Sequence, residues 1–346
     1  MKYCIWNNKG GVGKSFLTFC ISTEYAILNP DEIVVVADLC PQANVSEMLL
    51  GGNGKGEDNQ SELLLEGRTI AGYIKDRFKL SRYEKLGTEL QYFIKINSYN
   101  ENIPGNMFLL TGDFELDTAS MLVSRIEGDP IKEAPSRAMS LLKDILDSFE
   151  NANKSKKITF FIDCNPSFAI YTELAIFASD KLIIPCTGDF ASFRGANNVM
   201  KILYNINKDQ EKDSVFNIIN FKEKASRLKM KLPVLHLGII NKARTFDTKA
   251  TVAYNAHVRE IKKYFEELNT VKDDIGNLIF HSIPVVSVKD CNNISLVVNY
   301  NGMPISKLEQ KKYEIYNDFT QVNKSQIDLI VEDINDVIEH ITATAR

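Results

Sequence analysis

Lys9-Gly10-Gly11-Val12-Gly13-Lys14-Ser15 is the stretch of this sequence that decides the fold. One apolar run, residues 3–6, precedes it, and a second apolar run, residues 16–21, follows it. This order predicts a strand, a glycine-rich turn and a helix. Glycines permit a tight turn that points several backbone N–H groups into one concavity, and the following helix adds the positive end of its dipole. The stretch therefore predicts a binding site for the phosphates of a nucleotide.

Each residue of this loop has an expected role. The phosphates would be surrounded by Gly10, Gly11, Val12 and Gly13, with Phe16 following at the start of the helix. The Lys14 ammonium group would reach the β- and γ-phosphates, and the Ser15 hydroxyl would ligate Mg²⁺. The usual P-loop pattern has glycine where Asn8 stands, and Lys9 adds a second lysine here. A glycine-rich turn with incidental lysines is the alternative that the sequence leaves open.

The composition is that of an ordinary globular chain. The 346 residues are 44% apolar and 25% charged, and the formal net charge is −4, so any surface for nucleic acid must be a local patch. The six cysteines never form C-x-x-C, which favours buried thiols in a reducing cytoplasm over a zinc site. The sequence shows neither a signal peptide nor a run of 18 apolar residues, so we expect a cytoplasmic protein that does not span a membrane.

Two buried strands are predicted to end in carboxylates at the edge that holds the phosphate loop. The β-branched run 33–37 ends in Asp38, and the apolar run 158–162 ends in Asp163. The carboxyl ends of parallel strands border the ligand crevice in a sheet of this kind. We therefore expect Asp163 to hold a Mg²⁺ ion with its water shell. For Asp38, a catalytic role and a role as a helix N-cap or turn residue both remain open.

Strands and helices alternate along the rest of the chain. Strands are expected at 2–6, 92–96, 107–110, 181–185, 234–240 and 278–283, and helices at 14–28, 136–150, 168–178, 191–206, 248–268 and 323–342. This alternation predicts one α/β domain over residues 1–346, with a doubly wound, mostly parallel sheet and helices on both faces. Segments 51–105 and 207–233 look like variable insertions.

The last predicted helix, 323–342, has an apolar stripe and an acidic opposite face. The stripe consists of Ile327, Ile330, Val331, Ile334, Ile338 and Ile341. An acidic helix would be repelled by an anionic membrane, so we expect this helix to pack against the sheet and we expect no membrane partner.

At three motifs the sequence resembles the ParA/MinD family of deviant Walker ATPases. The loop at 9–15, the stretch 38–44 and the stretch 162–167 follow the family's three nucleotide-binding motifs, and 179–185 is similar to a further family segment. The resemblance covers about residues 1–300. It implies a P-loop NTPase fold that binds ATP with Mg²⁺.

The resemblance also implies roles for individual residues. Lys9 would be the family's signature lysine, which touches the nucleotide of the partner subunit in a homodimer formed with ATP. Lys9, Lys14 and Asp38 are then the expected catalytic residues. Asn241 and the loop after Pro284 would border the adenine, although Asn241 is equally expected as an ordinary turn asparagine.

One residue departs from the family pattern. The family's second motif has an acid immediately before its proline, and the resemblance implies that this acid takes part in water activation. Here Cys40 stands immediately before Pro41. A thiol has an ordinary pKa of about 8.5, against about 3.9 for aspartate, so it is mostly neutral at pH 7. Either hydrolysis is slow, or Asp38 or a partner group supplies the acid.

The function that the resemblance implies is an ATPase switch. ATP would draw two subunits together, hydrolysis would release them, and a partner protein would stimulate the cycle, so that DNA or another large cargo is segregated or positioned. Non-specific DNA binding would need a basic patch. The candidates are Lys222, Lys224, Arg227, Lys229 and Lys231 on one expected helix, with Lys242, Arg244 and Lys249. Ordinary solvated surface is the alternative for both groups.

The sequence leaves three rival functions open. A metabolic ligase or kinase on the same fold would need a second pocket for an acceptor. A reductase subunit like the nitrogenase iron protein would need two cysteines that flank a cluster bridging two subunits. An ATP-bound scaffold with little turnover is favoured by Cys40.

Overall fold

The computed structural model describes residues 1–80, 86–128, 133–206, 221–243, 249–272 and 278–343. The strands are β1 (Lys2–Ile5), β2 (Ile33–Leu39), β3 (Phe93–Lys95), β4 (Met107–Leu110), β5 (Ile158–Cys164), β6 (Lys181–Thr187), β7 (Val234–Ala243), β8 (Val285–Lys289), β9 (Lys312–Ile315) and β10 (Asp318–Gln321). The helices are α1 (Lys14–Leu28), α2 (Asn44–Leu49), α3 (Lys55–Leu65), α4 (Ile70–Lys79), α5 (Leu116–Glu127), α6 (Ala134–Ala152), α7 (Ile170–Ala178), α8 (Phe190–Tyr204), α9 (Phe221–Leu228), α10 (Lys249–Leu268), α11 (Asn292–Asn301) and α12 (Lys324–Ala343).

Eight of these strands form one sheet in the order β3-β4-β2-β5-β1-β6-β7-β8. Every neighbouring pair is parallel except β3 with β4, which is antiparallel. Strands β1 and β5 lie in the middle and are buried along their whole length. Because helices cover both faces, these strands are buried at every residue rather than at alternate residues. The predicted doubly wound α/β fold is confirmed.

The helices divide into two layers. Helices α1, α2, α11 and α12 contribute buried side chains to the core on one face of the sheet, and α4 to α10 contribute to the core on the other face. Segment 51–105, expected as an insertion, supplies α3, α4 and the edge strand β3. Of the second expected insertion, residues 207–220 lie outside the described residues.

Helix α12 packs against the sheet, as its apolar stripe predicts. Ile327, Ile330, Ile334, Ile338 and Ile341 are all buried. None of the helices in the described part of the chain is both long enough and apolar enough to cross a membrane.

The strand predicted at 278–283 is wrong. Leu278 forms only an isolated bridge with Lys272, and the strand that pairs with β7 begins after Pro284. Of the apolar residues that suggested a strand, Phe280 and Ile283 are buried in irregular structure, whereas Leu278 is exposed. Phe280 packs edge-on against another ring, and the Ile283 N–H donates to the side chain of Asn269 (2.9 Å) rather than to a neighbouring strand. Phe280 and Ile283 are therefore buried without the strand pairing that the sequence suggested.

Some elements give only a weak sequence signal. Strands β9 and β10 form a hairpin whose two turn residues, Tyr316 and Asn317, both have positive φ. This turn matches the right-handed twist of the strands, but asparagine is its usual residue and tyrosine is not. Helices α5 and α11 were also not predicted.

Candidate nucleotide-binding site

The phosphate loop lies between β1 and the first turn of α1. Gly11 has φ +74° and Gly13 has φ +85°, a conformation that side chains other than glycine rarely adopt. A Cβ atom on Gly13 would also lie 2.1 Å from the amide nitrogen of Asn241. Gly13 directly precedes the first residue of α1, so the loop presents its N–H groups at the positive end of a 15-residue helix.

Lys14, Ser15 and Asp163 meet at this helix end. The Ser15 hydroxyl donates to one Asp163 carboxylate oxygen (2.6 Å), and the Thr18 hydroxyl donates to the other (3.1 Å). The Lys14 ammonium group donates to the Lys9 carbonyl (3.0 Å). Lys14 is only 7% exposed, and burial lowers its pKa although the nearby Asp163 opposes this. Thr18 was missed, yet it stands one helical turn from Lys14, which is the signal that could have found it.

The donor set beside the loop fits Mg²⁺. Hydroxyl and carboxylate oxygens are the ligands that this ion prefers. Ser15 and Asp163 already lie within hydrogen-bonding distance of each other, so both oxygens could face one ion. Burial raises the pKa of Asp163, and a cation would favour its ionised form.

Asp38 is fully buried, and its carboxylate is occupied by nearby hydrogen bonds. One oxygen accepts from the Cys40 N–H (3.0 Å), and the other accepts from the N–H (3.0 Å) and the hydroxyl (2.8 Å) of Ser46. Burial raises the pKa of Asp38, and the charge of Asp163 on the adjacent strand adds to this. These contacts are those of a turn residue that joins β2 to α2. A catalytic role for Asp38 stays a prediction.

Cys40, by contrast, lines the cavity at the phosphate loop. It is 5% exposed, and burial together with the charges of Asp38 and Asp163 raises the pKa of its thiol to about 12. The thiol is therefore neutral at physiological pH, which agrees with the expectation from the sequence.

The cavity at the loop has a volume of about 640 Å³, within the usual range for ligand sites. The phosphate loop lines it, with Cys164 and Pro166, and so do the polar residues Gln42, Asn44, Glu47, Asn53 and Asn299. Gln42 and Asn44 belong to the motif at 38–44, whereas Glu47, Asn53 and Asn299 were not predicted. Asn299 reaches the site because α11 packs on α2, a contact between distant parts of the sequence.

Lys9 is held by its own chain. Its ammonium group lies 2.8 and 2.7 Å from the two carboxylate oxygens of Asp189. It also lies 3.2 Å from each of the hydroxyl oxygens of Thr187 and Ser192. Lys9 therefore does not reach into the cavity, and the role in a partner subunit that the resemblance implies is untested.

The two residues expected near the adenine lie in different places. Asn241 is 3% exposed and donates to the Val12 carbonyl (2.9 Å), so it supports the phosphate loop from behind. Pro284 precedes β8 rather than following a strand, and its carbonyl accepts from Gly238 within β7. It thus lies at the amino end of its strand, away from the edge that carries the loop.

Only some of the basic residues that are candidates for a DNA-binding surface are exposed. Lys224 forms ion pairs with Glu127 (2.6 Å) and with Glu173, which commits it to the protein. Helix α9 ends at Leu228, so the candidates do not share one helix as predicted. The exposed candidates are Lys222, Arg227, Lys229, Lys231 and Lys242. Arg244 and the side chain of Lys249 lie outside the described residues.

Comparison with known proteins gives consistent results. Residues 2–218 match the AAA_31 family, described as an AAA domain. The chain is 26% identical over 211 residues to a Pseudomonas putida protein, and the match covers 60% of this chain and 65% of that one. It is 22% identical to the ParA family protein MG470 of Mycoplasma genitalium, over 93% of this chain and 96% of the relative. Among solved structures, apo McdA of Cyanothece has a TM-score of 0.57 at 14% identity, covering 97% of this chain and 98% of McdA.

The fold and the loop thus define a P-loop ATPase-type protein. The chain belongs to the AAA_31 family, and its predicted place among ParA/MinD-type ATPases is confirmed.

Proposed function

We propose that the chain is a cytoplasmic ATPase that dimerises when it binds ATP with Mg²⁺, and that this cycle segregates DNA or positions another large cargo. The observation that carries the proposal is the meeting of Lys14, Ser15 and Asp163 at the amino end of α1. A solved complex of the similar protein McdA contains ATP, and its TM-score against this chain is 0.58.

The residues of the loop have defined tasks in this proposal. The phosphates take the place of the Lys9 carbonyl as the partner of the Lys14 ammonium group, and the backbone N–H groups of the loop bind the same phosphates. Ser15 and Asp163 hold Mg²⁺, which neutralises charge on the phosphate oxygens when it is bound. The low exposure of Lys14 strengthens its attraction to phosphate, because little water competes.

Two features determine the rate of ATP hydrolysis and the partners that we expect. The neutral thiol of Cys40 faces the cavity where the family has an acid, which favours slow hydrolysis without a stimulating partner protein. Lys9 would reach the nucleotide of a second subunit, so ATP and dimerisation would be linked. Exposed basic residues around α9 support possible non-specific DNA binding.

Light scattering tests the proposal directly. The mass should be that of a monomer without nucleotide and with ADP, and that of a dimer with Mg²⁺ and a non-hydrolysable ATP analogue. Lys14→Ala should abolish nucleotide binding, whereas Lys9→Ala should abolish dimerisation or hydrolysis. The same mass under all three conditions would count against a nucleotide-driven switch.

A second function is favoured by Cys40. With a neutral thiol beside the phosphate loop, the protein could act as an ATP-bound scaffold with little turnover. Phosphate release measured with and without duplex DNA separates the two functions. Stimulated release supports the switch, and a bound nucleotide that stays intact over hours supports the scaffold.

A further inference from the structure

A second cavity lies between α4, α5 and α6. Its volume is about 230 Å³, and the described residues that line it all differ from those that line the cavity at the phosphate loop. Six of them are apolar, and the other two are Arg77 and Arg137. Nucleotide binding does not account for this combination of apolar and cationic side chains.

The apolar part of this cavity follows from the sequence of α6. Ala134 and Ala138 are four residues apart, so they lie on one face of α6, and both are buried. Their methyl groups fill little of the space between the helices. From α4 and α5, Phe78 and Ile126 also line the cavity, and both are only partly buried. The cavity therefore offers an apolar surface that is partly open to solvent.

The two arginines come from different helices, Arg77 from α4 and Arg137 from α6. Arg137 forms an ion pair with Glu133 (3.0 Å), whose side chain is 67% exposed. Because exposed pairs of this kind contribute little to stability, another carboxylate can replace Glu133 at low cost. Burial raises the pKa of Asp144, and Arg77 is among the groups that oppose this rise. A guanidinium group can donate two parallel hydrogen bonds to one carboxylate, so the cavity combines an apolar surface with donors for acids.

Size and charge together indicate the kind of ligand. Sites for whole small molecules usually enclose about 300–1,000 Å³, so this smaller cavity has room for a side chain rather than for such a molecule. An apolar anchor with charged neighbours is a common way for one protein segment to bind another, and arginines recognise acidic segments. The whole chain has a formal net charge of −4, so two arginines beside an apolar lining are a local feature that favours an acidic partner over a basic one.

We propose that the cavity between α4, α5 and α6 is a docking site for an acidic segment of a partner protein. An apolar side chain of the segment enters the cavity, and carboxylates beside it bind Arg77 and Arg137. The inference goes beyond the proposed function, because this docking needs neither a nucleotide nor a second subunit.

Fluorescence anisotropy of the nucleotide-free protein with labelled peptides tests both parts of the proposal. The probe is a nine-residue peptide with a central leucine and two glutamates on each side of it. It should bind about tenfold more tightly than the same peptide with lysines in place of the glutamates. It should also bind about threefold to tenfold more tightly than the peptide with a central serine, which loses the apolar anchor. These comparisons change only the ligand, so they do not depend on the folding of a variant.

A variant and a cross-link locate the binding. Arg137→Gln removes one of the two charges and should weaken binding of the glutamate peptide about threefold to tenfold. The matched control is Lys143→Gln, since Lys143 also lies on α6 and pairs with an acid four residues away, but is not among the described residues that line the cavity. This control should bind the peptide as the wild type does. With photo-leucine at the centre of the peptide, irradiation and mass spectrometry should place the cross-link on α4, α5 or α6.

Several results would overturn the proposal. They are equal binding of the glutamate and lysine peptides, wild-type affinity in Arg137→Gln, and a cross-link outside the three helices. Complete displacement of the peptide by an equal concentration of hexanoate would assign the cavity to small carboxylates instead. Self-association of the wild type that Arg137→Gln abolishes would assign it to a second copy of the chain. A wild-type protein that binds no nucleotide would contradict the proposed function alone, since peptide binding is measured without nucleotide.

Discussion

The carboxyl edge of the sheet and the face covered by α12 are built from opposite kinds of interaction. At the edge, Lys14, Asp38 and Asp163 are buried charged groups held by hydrogen bonds. Beneath α12 the contacts are apolar, with Ile334 and its neighbours fully buried. Burying a charged group lowers the free energy of unfolding, whereas burying an aliphatic side chain raises it. This fold therefore keeps its ligand chemistry and much of its stability in separate places.

Lys14→Ala should have the largest effect on the ligand side of this comparison. The variant loses charge-assisted hydrogen bonds to phosphate, each of which contributes about 1.5–3 kcal/mol. Loss of two such bonds should lower the affinity by more than about a hundredfold. The free energy of unfolding should change little, because the variant no longer has to bury a cation. Titration with a fluorescent ATP analogue and a urea melt measure the two quantities. A large loss of stability with normal affinity would break the proposed separation.

Ile334→Ala should show the reverse behaviour. Truncating a fully buried isoleucine costs about 2–5 kcal/mol in the free energy of unfolding, from lost burial and from the cavity left behind. The folded fraction should bind the ATP analogue with wild-type affinity, since α12 does not line the cavity at the loop. Ile334→Val, with an expected cost of about 0.5–1.5 kcal/mol, is the graded control. Reduced affinity in the folded protein would mean that the two regions are coupled.

Cys40→Asp tests the chemistry at the edge. General-base positioning typically contributes about 10²–10⁴-fold, so a partial rescue should raise phosphate release by about tenfold or more. The new carboxylate would stand near Asp38 and Asp163, whose charges already raise the pKa of the Cys40 thiol, so the free protein should become less stable. Cys40→Asn has a similar shape without the charge and should change neither quantity in this way. A fast wild-type rate that Cys40→Asp leaves unchanged would show that this position does not limit hydrolysis.

The sequence predicted those features of the molecule whose pattern lies within a short stretch of the chain. The phosphate loop, the carboxylates at the ends of β2 and β5, and the stripe of α12 each depend on residues close together in the chain. Strand β8 was misplaced because burial of Phe280 resembles the burial of a strand, and only the pairing distinguishes them.

The unpredicted parts of the site depend on distant contacts. Lys9 and Asp189 are far apart in the sequence, and β6 lies beside β1 only in the folded sheet. Asn299 reaches the cavity through the packing of α11 on α2. The cap that Asp189 forms on α8 with the Ser192 N–H has a local signal, but its lysine partner does not.

DNA binding is the smallest of the expected effects, and it concerns a third region, the exposed basic residues around α9. Each phosphate contact contributes about 0.9 to the slope of log affinity against log salt. Replacing Lys222 and Arg227 by glutamine should therefore lower that slope by up to about 1.8 per subunit, if both side chains touch DNA. Both are exposed, and five positions along a helix place them on different sides, so one contact rather than two is the expected loss.

The control for this experiment must remove the same charge elsewhere. Lys79 and Lys143 lie on α4 and α6, where each forms an ion pair with an aspartate of its own helix. Their double glutamine variant changes the net charge equally, so a slope that falls only in the Lys222 and Arg227 variant locates the surface. Equal slopes would make Lys242, Arg244 and Lys249 the next residues to replace. Absence of duplex binding at low salt with the ATP analogue would instead favour a protein cargo, because phosphate-driven binding is strongest where counterions are few.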